Sequence, residues 1–397
     1  MKNLKSILFI CSVYKPNIGG VETIIEKLSS IYNKKGIKVK VLTKKFPANL
    51  QEIETIKKTK IFRIKRPKNN REYDLVIKWL KKYEKELRSD LIHLIGIRRP
   101  MPFIGHLLSK RWKVPYVITF SGGDVLDPND PESIKIWKDG GTLNIQSVQK
   151  ADIYTAFSKD IINRVKKNFS KINTIKLIYA GISPKKYVFK LDKSESGYIL
   201  TARRLYYSKG IDILIKSFSK LAKKHKNNLI IVGDGPELEN LVNLTKSLEL
   251  EKRVKFIGSV NINKLYSLMR NALIHVCPSR SEGGGNVNIE AQAVGCATIG
   301  SDVGGIPEYI LHNKTGLIFE PENIKSLTKQ LNLLLTDKLL RKNLIKNAYS
   351  RLSIFNWEII YPKYLKLYES ILNKRIREFK PWSNFSKEVW KKLNNSI

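Results

Sequence analysis

Pro278-Ser279-Arg280-Ser281-Glu282-Gly283-Gly284-Gly285-Asn286-Val287-Asn288-Ile289-Glu290-Ala291 follows the apolar run 273–277 and leads into a helical pattern over 287–294. A strand, a glycine-rich turn and a helix in that order bring unpaired backbone N–H groups and the positive end of a helix dipole to one point. Such a point suits an anion such as a diphosphate. Glu282 lies in the turn, and Glu290 lies about two turns into the helix. That spacing suits two carboxylates accepting hydrogen bonds from different parts of one extended, hydroxyl-rich ligand better than a joint acid–base pair. A flexible loop before a solvated helix is the competing reading, because glycine-rich turns are common.

Outward from this stretch, short β-branched runs alternate with longer amphipathic ones, which predicts βαβ units and parallel sheets. Strands are expected at 198–201, 229–232, 254–257, 273–277 and 297–301, and helices near 211–224, 236–248, 262–270 and 287–294. Helical segments that include 326–335 and 357–372 close the chain. The first half repeats the rhythm, with strands expected at 7–11, 39–42, 61–64, 91–94, 116–119, 153–156 and 175–178. Its helical patterns cover 21–32, 73–87, 102–111 and 159–169. The polar stretch 191–197 separates the two series. A chain of 397 residues is too long for one ordinary core. The expected architecture is therefore α/β, with two doubly wound Rossmann-like domains at 1–190 and 197–355 facing across a cleft. Ligands of such sheets bind at the carboxyl ends of the strands. The helices of 356–397 are expected to cross back to the first domain.

A second segment, Ala202-Arg203-Arg204-Leu205-Tyr206-Tyr207-Ser208-Lys209-Gly210, also joins a strand to a helix. Fixed cations there can neutralise a diphosphate leaving group, although an ordinary basic loop is a serious competitor in a lysine-rich chain. Arg204-Leu205 with Lys209-Gly210, Glu282 with Glu290, and Val232-Gly233-Asp234-Gly235-Pro236-Glu237 form an ordered set. Gly304-Gly305-Ile306-Pro307-Glu308, Thr315-Gly316 and the early loop Pro16-Asn17-Ile18-Gly19-Gly20-Val21-Glu22 extend it. Together they resemble the retaining GT-B glycosyltransferases of family 4, glycosyl transferases group 1, from about residue 7 to about 372. The resemblance implies that Arg204 and Lys209 hold the diphosphate of a nucleotide-sugar donor. It implies Glu290 on the nucleotide ribose and Glu282, the third expected catalytic residue with Arg204 and Lys209, on the hydroxyls of the transferred sugar. Gly283, Gly284, Gly285 and Asn286 would meet sugar and phosphate, Gly19 and Gly20 would approach the diphosphate, and Gly235 and Ser121 complete the expected donor site. It further implies same-face transfer with retention, the leaving phosphate helping to deprotonate the acceptor. No metal and no cofactor are expected, because Arg, Lys and a helix N-terminus supply the positive charge; the sequence has no Asp-x-Asp motif.

Four departures from the family pattern stand out. Ser121 occupies the place after the Thr119-Phe120 strand end where relatives carry histidine, and serine cannot hold a charge. His93 is followed by Ile95 where a second histidine is frequent, Ala180-Gly181 replaces Asn-Gly, and Asn286 and Asn288 flank Val287. His93 is expected to be a structural histidine. A non-catalytic GT-B partner subunit and a nucleotide-sugar 2-epimerase remain alternatives, whereas a dehydrogenase is disfavoured because no G-x-G-x-x-G follows the first strand.

The chain carries a formal charge of +38, from 73 Lys+Arg against 35 Asp+Glu. That favours anionic partners, although compositional drift toward lysine accounts for much of the total. Lys57, Lys58, Lys60, Arg63, Lys65, Arg66, Lys68 and Arg71 form one run. Lys374, Arg375, Arg377, Lys380, Lys387, Lys391 and Lys392 surround Trp382, Phe385, Val389 and Leu393, which share a helical face. Such a basic amphipathic tail either rests on an anionic bilayer or packs on the first domain. A cell-surface glycan or lipid-linked acceptor, and peripheral association with an anionic membrane surface, fit that charge; nucleic acid does not, since no recognition motif accompanies it. The short apolar stretch 7–13 reads as a buried strand, not a signal peptide. Cys11, Cys277 and Cys296 are scattered, which favours a reducing, cytoplasmic setting.

Overall fold

The structure, a computed structural model, describes residues 4–372 apart from 18, 68–72, 129, 185, 186 and 196. The basic tail beyond 372, with Lys68 and Arg71 of the basic run, lies outside the described residues. Among the described residues the strands form two sheets. The first contains β1 (Ser6–Cys11), β2 (Lys38–Lys44), β3 (Ile53–Ile56), β4 (Thr59–Ile64), β5 (Leu91–Ile95), β6 (Tyr116–Phe120), β7 (Ile153–Ala156) and β8 (Ile175–Leu177). Their order is β3-β4-β2-β1-β5-β6-β7-β8, with every pair parallel except the β3–β4 hairpin. The second sheet is wholly parallel, in the order β11-β10-β9-β12-β13-β14. Its strands are β9 (Ile199–Ala202), β10 (Leu229–Val232), β11 (Val254–Phe256), β12 (Ile274–Cys277), β13 (Ala297–Ser301) and β14 (Leu317–Phe319).

Apolar residues run unbroken through the central strands because helices cover both faces. Ile7 to Cys11 are all fully buried. The first-domain helices are α1 (Gly20–Lys34), α2 (Tyr73–Leu87), α3 (Met101–Trp112), α4 (Pro131–Val148) and α5 (Lys159–Asn168). On α1, Ile24, Ile25, Leu28 and Tyr32 make the buried stripe that a 3.6-residue period requires. Ser158 starts α5 by accepting the Ile161 N–H at 3.1 Å. In the second half follow α6 (Ile211–Ser219), α7 (Leu238–Ser247), α8 (Ile262–Asn271), α9 (Asn286–Ala293), α10 (Ile306–Tyr309), α11 (Ile324–Thr336), α12 (Lys338–Arg351) and α13 (Trp357–Leu372). No helix among the described residues is long and apolar enough to cross a membrane.

Both switch points open on one cleft. In the first sheet β1 sits between β2 and β5, so the loop after β1 lies at the crevice; in the second, β9 and β12 are neighbours, and the loops after them meet there. The halves are joined by backbone and side-chain contacts on one flank of the cleft. Glu308 on α10 accepts the Lys159 N–H at 2.7 Å and the Tyr179 hydroxyl at 3.0 Å, and the Tyr309 hydroxyl donates to the Phe157 carbonyl at 3.1 Å. The chain then returns: α13 places Trp357, Ile360, Tyr364 and Tyr368 in the core of the first domain.

That return rests on a clasp. Ile182 bridges two residues of the returning chain, its N–H donating to the Phe355 carbonyl at 2.8 Å and its carbonyl accepting the Trp357 N–H at 2.9 Å, and the indole lies over Gly181 with no room for a Cβ. Trp357→Ala is expected to cost about 3–5 kcal/mol of stability in urea unfolding, because a large buried aromatic leaves a cavity at the crossing.

Candidate active site

The turn after β12 is the centre of the cleft. Cys277 ends the strand buried, and Gly283 lies against Gly122 of the first domain so closely that a Cβ on Gly122 would stand 2.5 Å from the Gly283 Cα. The Ser158 hydroxyl donates to the Gly283 carbonyl at 2.7 Å, and the Ser281 hydroxyl to Asp127 Oδ2 at 2.6 Å. The turn is therefore gripped from both domains. The N–H groups of Gly283, Gly284, Gly285 and Asn286, which lead into α9, meet no acceptor among the described residues. They form an anion-ready terminus of the kind the glycine pattern implies.

Glu282 points back under the turn into a set of cations. Arg203, whose side chain is 6% exposed, makes an ion pair with Glu282 Oε2 and donates to Cys277 Sγ at 2.7 Å. Lys209 Nζ reaches the same Oε2 at 3.3 Å and the Ser281 carbonyl at 3.2 Å. Burial alone would push the Glu282 carboxyl up; Lys209 and Arg203 outweigh it and hold the group below its ordinary value. Glu282 thus stays ionised with Oε2 engaged, which leaves Oε1 as its free acceptor. Glu290, on α9, is the opposite case. It is half-buried, has no hydrogen-bond partner among the described residues, and burial raises its carboxyl to about 7.

The remaining expected residues fall around this pair. Arg204 is exposed on the cleft side of the β9 loop, stacked over the Tyr206 ring at 5.2 Å, without an ion pair among the described residues. Gly20 faces Asn286 across the cleft, a Cβ there standing 3.7 Å from Asn286 Nδ2. Gly19 packs on Glu22, whose half-buried carboxyl is raised by burial despite the charges of Arg204 and Arg98. Gly235 plays a bracing part: its turn receives the Leu205 N–H at Asp234 O, 2.9 Å away, and sends the Glu237 N–H to Leu205 O, at 3.0 Å. Ser121 is spent on orientation, donating to Asp124 Oδ1 at 3.0 Å while Asp124 Oδ2 accepts the Ile97 N–H. His93 is fully buried, bonded to Tyr368 at 2.7 Å and Thr119 at 2.6 Å, with its pKa lowered to about 3 by burial. It belongs to the core.

Two groups escaped the sequence reading. Arg203 was indistinguishable from Arg204, since only strand direction says which of two adjacent arginines turns inward. Glu22 was hidden because a glutamate in the first turn of a helix is ordinarily a solvated dipole partner. Removing Arg203 leaves a buried carboxylate short of a counter-charge, so Arg203→Met is expected to lose about 3–5 kcal/mol in chemical denaturation. Adding Glu282→Gln to Arg203→Met is expected to restore much of it, and a double-mutant cycle with no coupling would refute the pairing.

This geometry can be set beside known proteins. Residues 18–186 match the family model Glycosyltransferase Family 4, and residues 183–351 match Glycosyl transferases group 1. The N-acetyl-alpha-D-glucosaminyl L-malate synthase of Bacillus anthracis is 25% identical over 382 residues, covering 90% of this chain and 95% of its own. Sucrose-phosphate synthase from Thermosynechococcus elongatus superposes with a TM-score of 0.81 at 21% identity, over 93% of this chain and all of its own. The Anabaena protein HepE, solved with UDP-glucose, superposes at 0.75 and 20% identity, over 92% of this chain and 99% of its own. With both family models in chain order and two Rossmann-like domains around the cleft, the chain belongs to the GT-B glycosyltransferases of family 4.

Proposed function

We propose that this glycosyltransferase moves a hexosyl group from a nucleotide sugar to a cell-surface glycan or glycolipid, with retention and without a metal. The observation that carries the reading is the pair of unlike carboxylates at the two ends of one glycine turn: Glu282 ionised with one oxygen free, and Glu290 half-buried and unpartnered. The UDP-glucose bound in HepE supports a nucleotide-sugar donor.

In this reading the nucleotide lies along the second domain. Glu290 accepts the two ribose hydroxyls. Arg204, Lys209 and the free N–H groups from Gly283 to Asn286 take the diphosphate, and Glu282 Oε1 accepts a hydroxyl of the sugar. The glycine loop at Gly19 and Gly20 lets the first domain approach the phosphates without an intervening side chain. As the sugar–phosphate bond breaks, negative charge moves onto the leaving phosphate, where fixed cations and backbone dipoles already stand. The acceptor oxygen enters on the same face and its proton passes to that leaving phosphate oxygen, so no general base from the protein is required. A metal is unnecessary because Arg204, Lys209 and the α9 terminus supply the charge. Peripheral association with an anionic membrane remains part of the proposal, on the net charge of +38.

Titration of wild type with UDP, GDP and ADP, alone and as sugar conjugates, tests the donor site: one base is expected to raise the melting temperature, and no response from any of them would overturn the reading. The carboxyl of Glu290 titrates near 7 in the folded protein against an ordinary value of 4.5. The folded state therefore holds its proton more tightly than the unfolded chain, and this residue subtracts stability increasingly as pH rises from 4.5 through 7. Glu290→Gln is expected to melt higher than wild type at pH 8, with the gap closing by pH 5, while losing the nucleotide-induced rise.

A further inference from the structure

The acceptor half of the cleft holds charges that the donor chemistry does not use. Lys44 ends β2, its N–H donating to Ser12 O at 3.3 Å and its register partner Ile64 ending β4. Arg66 follows β4 by two residues, and Arg98 follows β5 by three. Because β2 and β5 flank β1, and β4 flanks β2, all three cations come to the carboxyl ends of neighbouring strands. Lys44 is half-buried and makes no ion pair among the described residues. Burial, then Arg66 and Arg98, lower its pKa to about 8, with Asp139 and Cys11 opposing. Arg66 pairs with Asp139, and Arg98 lies 3.8 Å from Glu132 Oε1; both carboxylates are carried by α4, and both pairs are partly solvent-exposed. The Arg98 charge also reaches Glu22, whose carboxyl abuts Gly19 and feels Arg204 from the other domain. The cluster therefore borders the donor loop.

Three like charges drawn together, one of them half-buried without a counter-ion, weaken the free protein. An anion bound among them supplies the counter-charge that Lys44 lacks. We propose that Lys44, Arg66 and Arg98 form an oxyanion site for the acceptor, which carries a phosphate or a carboxylate near the hydroxyl that receives the sugar. The assignment of that anion to the acceptor rests on the glycosyltransferase reading above; the anion site itself does not. In the free protein, Asp139 and Glu132 of α4 supply a weak, displaceable counter-charge. The eight-cation run of the sequence gives this site only one member, since the others described lie on the β3–β4 turn, along β4 or beside Arg66. Lys57 and Lys60 pair there with Glu26 and Glu86, and Arg63 is buried against Glu54 and the Gln51 and Lys15 carbonyls.

Calorimetric titration of the full chain with glycerol 3-phosphate and with glucuronate tests the site and separates its two possible sources, a phosphate monoester and a sugar carboxylate. One of the two is expected to bind, with affinity falling about tenfold or more in Lys44→Met and in Arg98→Gln. Lys44→Met is also expected to melt above wild type without ligand, because it removes the unpaired charge, so lost binding is not lost folding. Binding by neither probe, or binding undiminished in both variants, overturns the proposal. Wild type titrated separately with nucleoside diphosphates reports on the donor reading alone: anion binding without nucleotide binding keeps this site and removes the donor reading, and the reverse outcome does the opposite.

Discussion

The turn from Pro278 to Gly285 is packed closely by the Gly122, Gly304 and Gly305 backbone and by the Tyr309 ring, and that absence of space at Gly283 and Gly285 governs the cleft. Gly122, at φ +105°, meets Gly283 from the first domain; Gly304, at φ +55°, holds the Glu282 carbonyl from the second, with the Gly305 N–H donating to it at 3.1 Å. A side chain at either position would push the turn out of register with both domains. Because the turn is fixed by this close packing and by the Ser158, Asp127 and Lys209 side chains, its carboxylate and its free N–H groups are held in place in the free protein, and little reorganisation remains for binding to supply. The same seam sets the separation of the domains, so cleft width and site geometry are one constraint rather than two.

Within that frame, the two glutamates show how environment divides labour between identical side chains. Both are drawn out of water, which by itself raises a carboxyl pKa. Glu282 has Arg203, Lys209 and, at 3.5 Å, the Ser279 hydroxyl, and the balance falls toward the ion. Glu290 has none of these, and the balance falls toward the acid. One side chain is held charged by its neighbours; the other has no hydrogen-bond donor among the described residues. Cys277, buried and hydrogen-bonded by Arg203, keeps its thiol protonated through burial and serves as a wall.

The architecture was legible because buried parallel strands write themselves as unbroken β-branched runs. Expected strands at 153–156, 229–232 and 297–301 coincide with β7, β10 and β13. Elements without that signature were missed. β3 is a four-residue edge strand with no buried residue, and β14 is a three-residue edge strand. α4 carries Gly140-Gly141, kinks at Gly141, and buries mostly polar residues, Ser133, Asn144 and Ser147, so its helical period is faint. α6 was expected to reach 224 and stops at Ser219, where Leu221 turns back to the Phe218 carbonyl at 2.9 Å ahead of a run of lysines. Motif spacing brought Glu282, Lys209, Gly283 and Asn286 to one place, but motifs do not say which way a side chain faces. Arg203 beneath Glu282, and Ser121 bound to Asp124, are consequences of strand direction and register that no local pattern encodes.

Charge placement completes the account. A total of +38 describes a sum, and the folded chain disperses most of it into exposed side chains and into pairs such as Arg111 with Glu84, Arg280 with Asp212 and Arg341 with Glu195. Paired, partly buried arginines of this kind fasten elements together. The cleft is different in kind. Arg204, Lys44 and Glu290 stand there without ion pairs or hydrogen-bonded acids among the described residues, two of them half-buried. A half-buried lysine or carboxyl without a partner lowers the stability of the free protein when it is charged, and a fold of this size has ample surface on which to satisfy such groups. Their concentration where both sheets end, around a turn with free N–H groups, gives the physical reason to read this cleft as one half of a set of interactions whose other half is the ligand.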